Sequence, residues 1–183
     1  MTFRGELADF GRFYEGAYPG AYRTALAILR DPGLAAEVTQ DAFVKAYRER
    51  DRFRGDAPVN AWLHRIVVNE ALGGIRKRAR GPREIDMGAA WGATESPGDV
   101  GRVADRLSML DALDVLAPQA RAAVVLRYYH DYDYATIARI LGTSPSNVGA
   151  LLSRSLDRLK TELETVPPGG IAGDRPAEVR DER

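Results

Sequence analysis

Apolar side chains recur at intervals of three and four residues along almost the whole chain, and this period constrains the fold more than any other feature of the sequence. Phe10, Phe13, Tyr14, Ala17, Tyr18, Tyr22, Ala25, Leu26 and Leu29 make one such stripe. Pro19 and Gly20 interrupt it and predict a kink or break there. Asp31 as N-cap and Pro32 at the first helical position then open a helix to about Arg50, with Leu34, Ala35, Val38, Ala42, Phe43, Ala46 and Tyr47 on its apolar side. A third helix starts near Pro58, turns Trp62, Ile66 and Val67 inward, and has a weak point at Gly73-Gly74.

From Gly81 to Gly101 the period fails in a stretch rich in Gly, Pro and acids, which reads as a linker. Order returns near Arg102 with Val103, Leu107, Leu110, Leu113 and Leu116, and Pro118 opens a further helix. Two more follow, Tyr134 to Leu141 and Pro145 to Leu163, split by Gly142. Ile137, Ala138 and Leu141, then Gly142, Ser144 as N-cap and Pro145, spell a helix-turn-helix, with Val148, Leu152 and Leu156 as the inward face of its second helix. An αα-corner in an ordinary bundle would share this pattern. The abundance of Ala, Leu and Arg over Val, Ile and Thr agrees with helices throughout. The expectation is an all-α chain of two small helical domains, 1–80 and 102–163, with a flexible linker at 81–101 and a disordered tail at 164–183.

The chain has no cysteine and two histidines, which removes thiolate chemistry and Cys-ligated zinc. His64 and His130 sit in no ligand pattern and read as helix-surface or loop residues; no metal and no cofactor is expected. No nucleophile is paired with a base and no glycine-rich phosphate loop is present, so no catalytic residue is assigned. No apolar run reaches the roughly 18–20 residues of a membrane span and the N-terminus lacks the apolar core of a signal peptide, so a cytoplasmic protein without membrane insertion is expected.

Formal net charge is zero, but it is unevenly placed. From Ala61 to Arg83, six basic residues face the single acid Glu70; from Glu84 to Asp114, seven acids face two arginines. Trp62, Arg65, Asn69 and the run Arg76-Lys77-Arg78 lie on one amphipathic element. An aromatic ring, an amide and several guanidiniums there suit single-stranded or opened nucleic acid, where bases stack or enter pockets while arginines hold phosphate. Taken singly, Trp62 reads rather as at least half core and the basic run as a solvated helix end.

Together these residues form a resemblance. "DPGLAAEVTQDAFVKAYRERDRFRGDAPVNAWLHRIVVNEA" is similar to region 2 of bacterial sigma factors of the extracytoplasmic-function group, and "DALDVLAPQARAAVVLRYYHDYDYATIARILGTSPSNVGALLSRSLDRLK" resembles their region 4. The resemblance implies a factor that binds core RNA polymerase, directs it to particular promoters and helps open the DNA. It implies that Glu37, Gln40, Asp41, Lys45 and Arg48 dock on the β′ clamp helices while Val38, Phe43 and Tyr47 stay in the core. The stretch from Trp62 to Arg78, with Arg65, Arg76 and Lys77, would then hold the -10 element, with Asn69, Glu70, Ala71 and Leu72 in a loop that captures a flipped base. A region 4 unit touching the β flap, and an anti-sigma protein as a further partner, are also implied.

At the -35 end the sequence departs from the family pattern. Gly149, Ala150 and Leu151 stand where members typically carry basic, small polar and basic residues; Thr136 replaces a glutamate and Asn147 a threonine. Arg127, Ser144, Ser146, Asn147, Ser153 and Arg154 remain as donors, with Ala150 available for a thymine methyl. Three accounts stay open: readout of an unusual -35 sequence, a unit working mainly through polymerase, or an exposed Leu151 that belongs to a protein interface. The alternative to a sigma factor is a helix-turn-helix protein-interaction or DNA-binding regulator acting without polymerase.

Overall fold

The computed structural model describes residues 9–80 and 112–165, and all regular structure among them is helical. The N-terminal unit consists of α1 (Phe10–Leu29), α2 (Pro32–Glu49), a 3-10 turn (Arg50–Arg52) and α3 (Val59–Arg80). A second 3-10 turn (Leu113–Val115), α4 (Pro118–Tyr128), α5 (Tyr134–Leu141) and α6 (Pro145–Thr165) form the C-terminal unit. Expectations for the linker, for the apolar run from Arg102 to Asp111 and for the tail lie outside the described residues.

Local rules account for most boundaries. Asp9 accepts from Arg12 N (3.2 Å) to start α1, and Asp31 accepts from Leu34 N (2.9 Å) just before Pro32 to start α2. Between them Arg30 adopts a left-handed conformation (φ 61°) and returns its N–H to Leu26 O (2.8 Å), which closes α1 and turns the chain. No break occurs at Pro19. It lies on the exposed side of α1, which runs on through it, and Ala21, Thr24, Ala25 and Ile28 just beyond it are buried and anchor the second half of the helix. Gly73 and Gly74 are likewise absorbed within α3.

Two buried clusters hold the molecule together. Ala21, Ala25, Ala35, Ala42, Phe43, Ala46, Leu63, Ile66 and Val67 bind α1, α2 and α3 to one another. Phe43 collects the rings of Phe10, Phe13, Tyr14 and Tyr18 around it, with centroids 4.7 to 6.3 Å away. The second cluster crosses between the units: Ala27, Ile28, Ala61, Val68 and Ala71 share one core with Leu113, Leu116, Ala120, Ala122, Ala123, Val124, Leu126, Ile137, Ala138, Ile140, Val148 and Leu152. Helix α1 packs on α4 and α3 on α5. Arg30 also forks onto Asp114, Nε donating to Oδ1 (2.6 Å) and Nη2 to Oδ2 (3.2 Å).

Three expectations about burial change. Tyr47 is exposed, with its ring against Phe10 (5.1 Å) and under the Arg50 guanidinium (4.0 Å), because Phe43 already fills the space one turn earlier. Leu156 is 44% exposed; the buried row of α6 runs Val148, Leu152, Ser155, and Ser155 satisfies its hydroxyl on Leu151 O (2.7 Å). His64 is buried at 4% exposure and His130 is half-buried beside it, because both lie in the seam between the units.

Candidate nucleic-acid interface

Helix α2 keeps Ala35, Thr39, Ala42, Phe43 and Ala46 inward, and this fixes the opposite face outward: Glu37, Gln40, Asp41, Lys45 and Arg48 are all exposed, with Val44 among them. Glu37 and Asp41 edge an open groove of about 610 Å³ whose floor includes Leu29, Leu34, Val38 and Ile75 and whose far rim is Lys77 and Arg78 of α3. Lys45 Nζ donates to Glu70 Oε1 at 2.8 Å. That hydrogen bond raises the Lys45 pKa above the ordinary lysine value. Both partners are substantially exposed, so the pair adds about 1 kcal/mol or less. It nonetheless joins a residue of the α2 face to one expected at the -10 element.

Helix α3 places its residues differently from expectation. Asn69, Glu70, Ala71 and Leu72 lie inside a continuous helix, not a loop, since nothing in "RIVVNEALGG" stops an N–H from reaching back four residues. At 100° per residue, Trp62, Arg65, Asn69 and Arg76 fall within an arc of about 60°. Arg65, Asn69, Arg76 and Lys77 are exposed. Trp62 is half-buried, packed on Phe53 at a centroid distance of 4.9 Å, so one part of the indole is core and another is offered outward. Ala71 is on the other side, fully buried, and Leu72 is half-buried against the shared core.

The helix-turn-helix forms as its residues dictate. Asp133 caps α5 by accepting from Thr136 N (2.7 Å), and that bond holds its carboxyl below the usual aspartate range. Gly142 supplies the left-handed turn (φ 65°). Ser144 Oγ accepts from Asn147 N (3.2 Å) to cap α6, and Asn147 Nδ2 donates to Thr143 Oγ1 (3.1 Å). With Val148 and Leu152 buried, Ser144, Ser146, Asn147, Ala150, Ser153 and Arg154 all face outward. Arg127 is partly engaged: its Nη1 donates to Tyr132 O (3.0 Å) and it pairs with Asp131 (3.7 Å). Leu151 is half-buried on the shared core.

One participant escaped the sequence reading. The exposed ring of Tyr134 lies over Gly149, where a Cβ would meet Tyr134 Cε2 at 3.4 Å, and the Arg127 guanidinium sits 5.7 Å from the centre of the same ring. Gly149 is thus the seat of an aromatic side chain, and Tyr134 with Arg127 extends the outward face of α6. The sequence signal is slight: an aromatic residue directly after a cap, and a glycine four residues into the next helix.

Comparison with known proteins follows the same division. The family model described as Sigma-70 region 2 matches residues 13–81, and that described as Sigma-70, region 4, matches residues 106–159. The chain is 30% identical over 164 residues to an RNA polymerase sigma-E factor of Streptomyces avermitilis, covering 88% of each chain. It is 32% identical over 162 residues to the ECF RNA polymerase sigma factor SigM of Mycobacterium tuberculosis, covering 85% of this chain and 77% of that one. Among solved structures it resembles the sigma factor RpoE in complex with the anti-sigma factor NepR from Bartonella quintana, at a TM-score of 0.70 and 25% identity over 86% of this chain and 98% of that one.

Proposed function

Because the chain belongs to the extracytoplasmic-function group of the sigma-70 family, we infer that it acts as a sigma factor: it binds core RNA polymerase, directs it to a subset of promoters and assists opening of the DNA. The observation that carries this is the presence, in family order, of both helical units with their polar faces turned to solvent. The factor is a DNA-binding initiation subunit and supplies no catalytic group of its own. A free-standing helix-turn-helix regulator is not favoured, because it leaves the α2 face and the Trp62–Arg76 row without a purpose.

In this reading the units 1–80 and 102–163 divide the work. Glu37, Gln40, Asp41, Lys45 and Arg48 meet the β′ clamp helices, and the apolar-floored groove beside Glu37 and Asp41 supports such a contact. Trp62, Arg65, Asn69 and Arg76 form the row for the -10 element, with Lys77 at its edge. Extruding a base costs a few kcal/mol, which a pocket plus arginine–phosphate contacts can offset. Glu70 then serves to hold Lys45, and Ala71 and Leu72 support the helix from behind. At the -35 element the exposed Asn147, Ala150, Ser153 and Arg154, flanked by Arg127 and Tyr134, favour a reading surface with a changed vocabulary; the half-buried Leu151 speaks against a protein-binding patch there. An anti-sigma protein is a further proposed partner, supported by the similar factor solved in complex with one. A cytoplasmic site of action follows from the reading, and no helix among the described residues is long and apolar enough to cross a membrane.

The test is in vitro transcription with core polymerase across a randomised promoter library. The intact chain should direct initiation, Asn69→Ala should erase preference at the -10 element, and Arg154→Ala should weaken a defined -35 preference. Failure of the chain to bind core would sink the assignment.

A further inference from the structure

The face of α3 next to the Trp62–Arg76 row carries Ala61, His64, Val68 and Ala71, all buried, and α5 packs on this helix. In this seam the rings of His64 and His130 lie 3.9 Å apart, centre to centre, and Tyr132 stands 5.7 and 5.8 Å from them. His64 Nδ1 and the Tyr132 hydroxyl share a hydrogen bond of 2.9 Å. His130 Nε2 lies 2.7 Å from Thr24 Oγ1. The Thr24 hydroxyl spends its one hydrogen on Gly20 O (2.9 Å), so His130 Nε2–H is the donor. Helix α1 closes the third side, since a Cβ on Gly20 would meet His130 Cε1 at 3.4 Å.

Among the described residues no carboxylate is paired with either ring. From α1, Arg23 reaches in and bonds the Tyr129 hydroxyl. Asp131, next to His130 in the chain, is turned out to Arg127, and Asp114 is held by Arg30 with Arg121 nearby. Burial, and then His130, pushes the His64 pKa down to about 3; burial, and then Arg23, pushes that of His130 down to about 4. A proton on either ring is therefore opposed in the closed arrangement and unopposed once the units part.

Closure matters because of distance. A packed unit of this size is roughly 35–40 Å across. The -10 and -35 elements are, by their labels, about 25 base pairs apart, roughly 85 Å of B-form axis. The two units must separate to hold both. We propose that His64 and His130 form a proton-sensitive latch that keeps the two units closed and unable to span a promoter, and that releases them when a ring becomes an imidazolium. The consequence for promoter binding rests on the sigma-factor reading; the latch itself is a property of the free chain.

It is tested without polymerase or DNA. The chain has no cysteine, so Val68→Cys places a single thiol in the seam. Its alkylation rate, divided by that of the urea-unfolded chain at the same pH, reports the opening equilibrium even when the open form is rare. With an ordinary histidine value of about 6.5, lowering pH from 7.5 to 5.5 should raise opening about tenfold per histidine and up to about 100-fold for the pair. In His64→Asn/His130→Gln, which keeps hydrogen-bonding groups but cannot titrate, the rise should shrink to less than about twofold, and either single change should leave about tenfold. A pH-independent rate ratio, an undiminished rise in the variants, or a rise whose urea dependence equals that of global unfolding would each overturn the latch. Loss of initiation with the latch intact would instead count against the sigma-factor reading.

Discussion

Gly149 is the position at which the proposed -35 surface can be perturbed with a known sign. It lies in the interior of α6, where glycine costs about 0.8–1 kcal/mol relative to alanine. Opposing the gain is the Tyr134 ring, 3.4 Å from the new Cβ at Cε2 and 3.8 Å at Cδ2. Those distances are the near edge of ordinary contact, and the ring is exposed enough to swing by a few tenths of an ångström. Gly149→Ala should therefore stabilise the chain by about 0.5–1 kcal/mol, seen in urea unfolding as a raised midpoint at unchanged slope. In a Tyr134→Ala background the same change should give the full propensity gain, since nothing then opposes it. Gly149→Ile should forfeit the gain, because its branched side chain must displace the ring. If Gly149→Ala instead lowered stability by more than about 0.5 kcal/mol, and did so equally without Tyr134, glycine would be required there by backbone conformation and the seat assigned to Tyr134 would be wrong.

Further outcomes follow from residues already placed. Leu152→Ala, at a position that is 2% exposed in the shared core, should cost about 2–5 kcal/mol in the same unfolding assay. Asp133→Ala should remove the cap of α5; because the folded carboxyl has a depressed pKa, its stabilisation is present above the ordinary aspartate value and lost as pH falls through the folded one, so wild type and variant should converge at low pH in thermal melts. Arg154→Ala should lower the salt slope of -35 DNA binding by about one unit if the arginine holds phosphate, and leave the slope unchanged while relaxing sequence preference if it reads a base edge.

Helix identity was legible because it depends on neighbours in sequence: Asp31 before Pro32, Ser144 before Pro145 and Gly142 at the turn each act within four residues. The outward faces of α2 and α6 were legible for the same reason, since Ala42 and Phe43, or Val148 and Leu152, fix the opposite side by periodicity alone. What escaped was set by contacts distant along the chain. His64 and His130, 66 positions apart along the chain, appear as surface residues until α1, α3 and the turn before α5 close around them. Ala71 and Leu72, expected to meet DNA, face the C-terminal unit, and no local rule reveals a partner helix. Tyr134 gains its place through Gly149 on the next helix and Arg127 on the one before.

The buried positions also bear on how this gene can change. Alanine occupies many of them, among others 21, 25, 35, 42, 46, 61, 71, 122 and 123. An alanine codon is one base change from valine, serine, threonine, proline, glycine, aspartate or glutamate. Valine or threonine adds atoms to a filled interior at about 1–3 kcal/mol, serine and threonine bring a hydroxyl that needs a partner, and glycine loosens a helix by up to about 1 kcal/mol. Proline breaks the helix and the acids would be buried as unpaired charges. Almost every mutational exit from these sites is thus penalised, and drift in this lineage should be confined to the solvent faces, which include those proposed for promoter and polymerase.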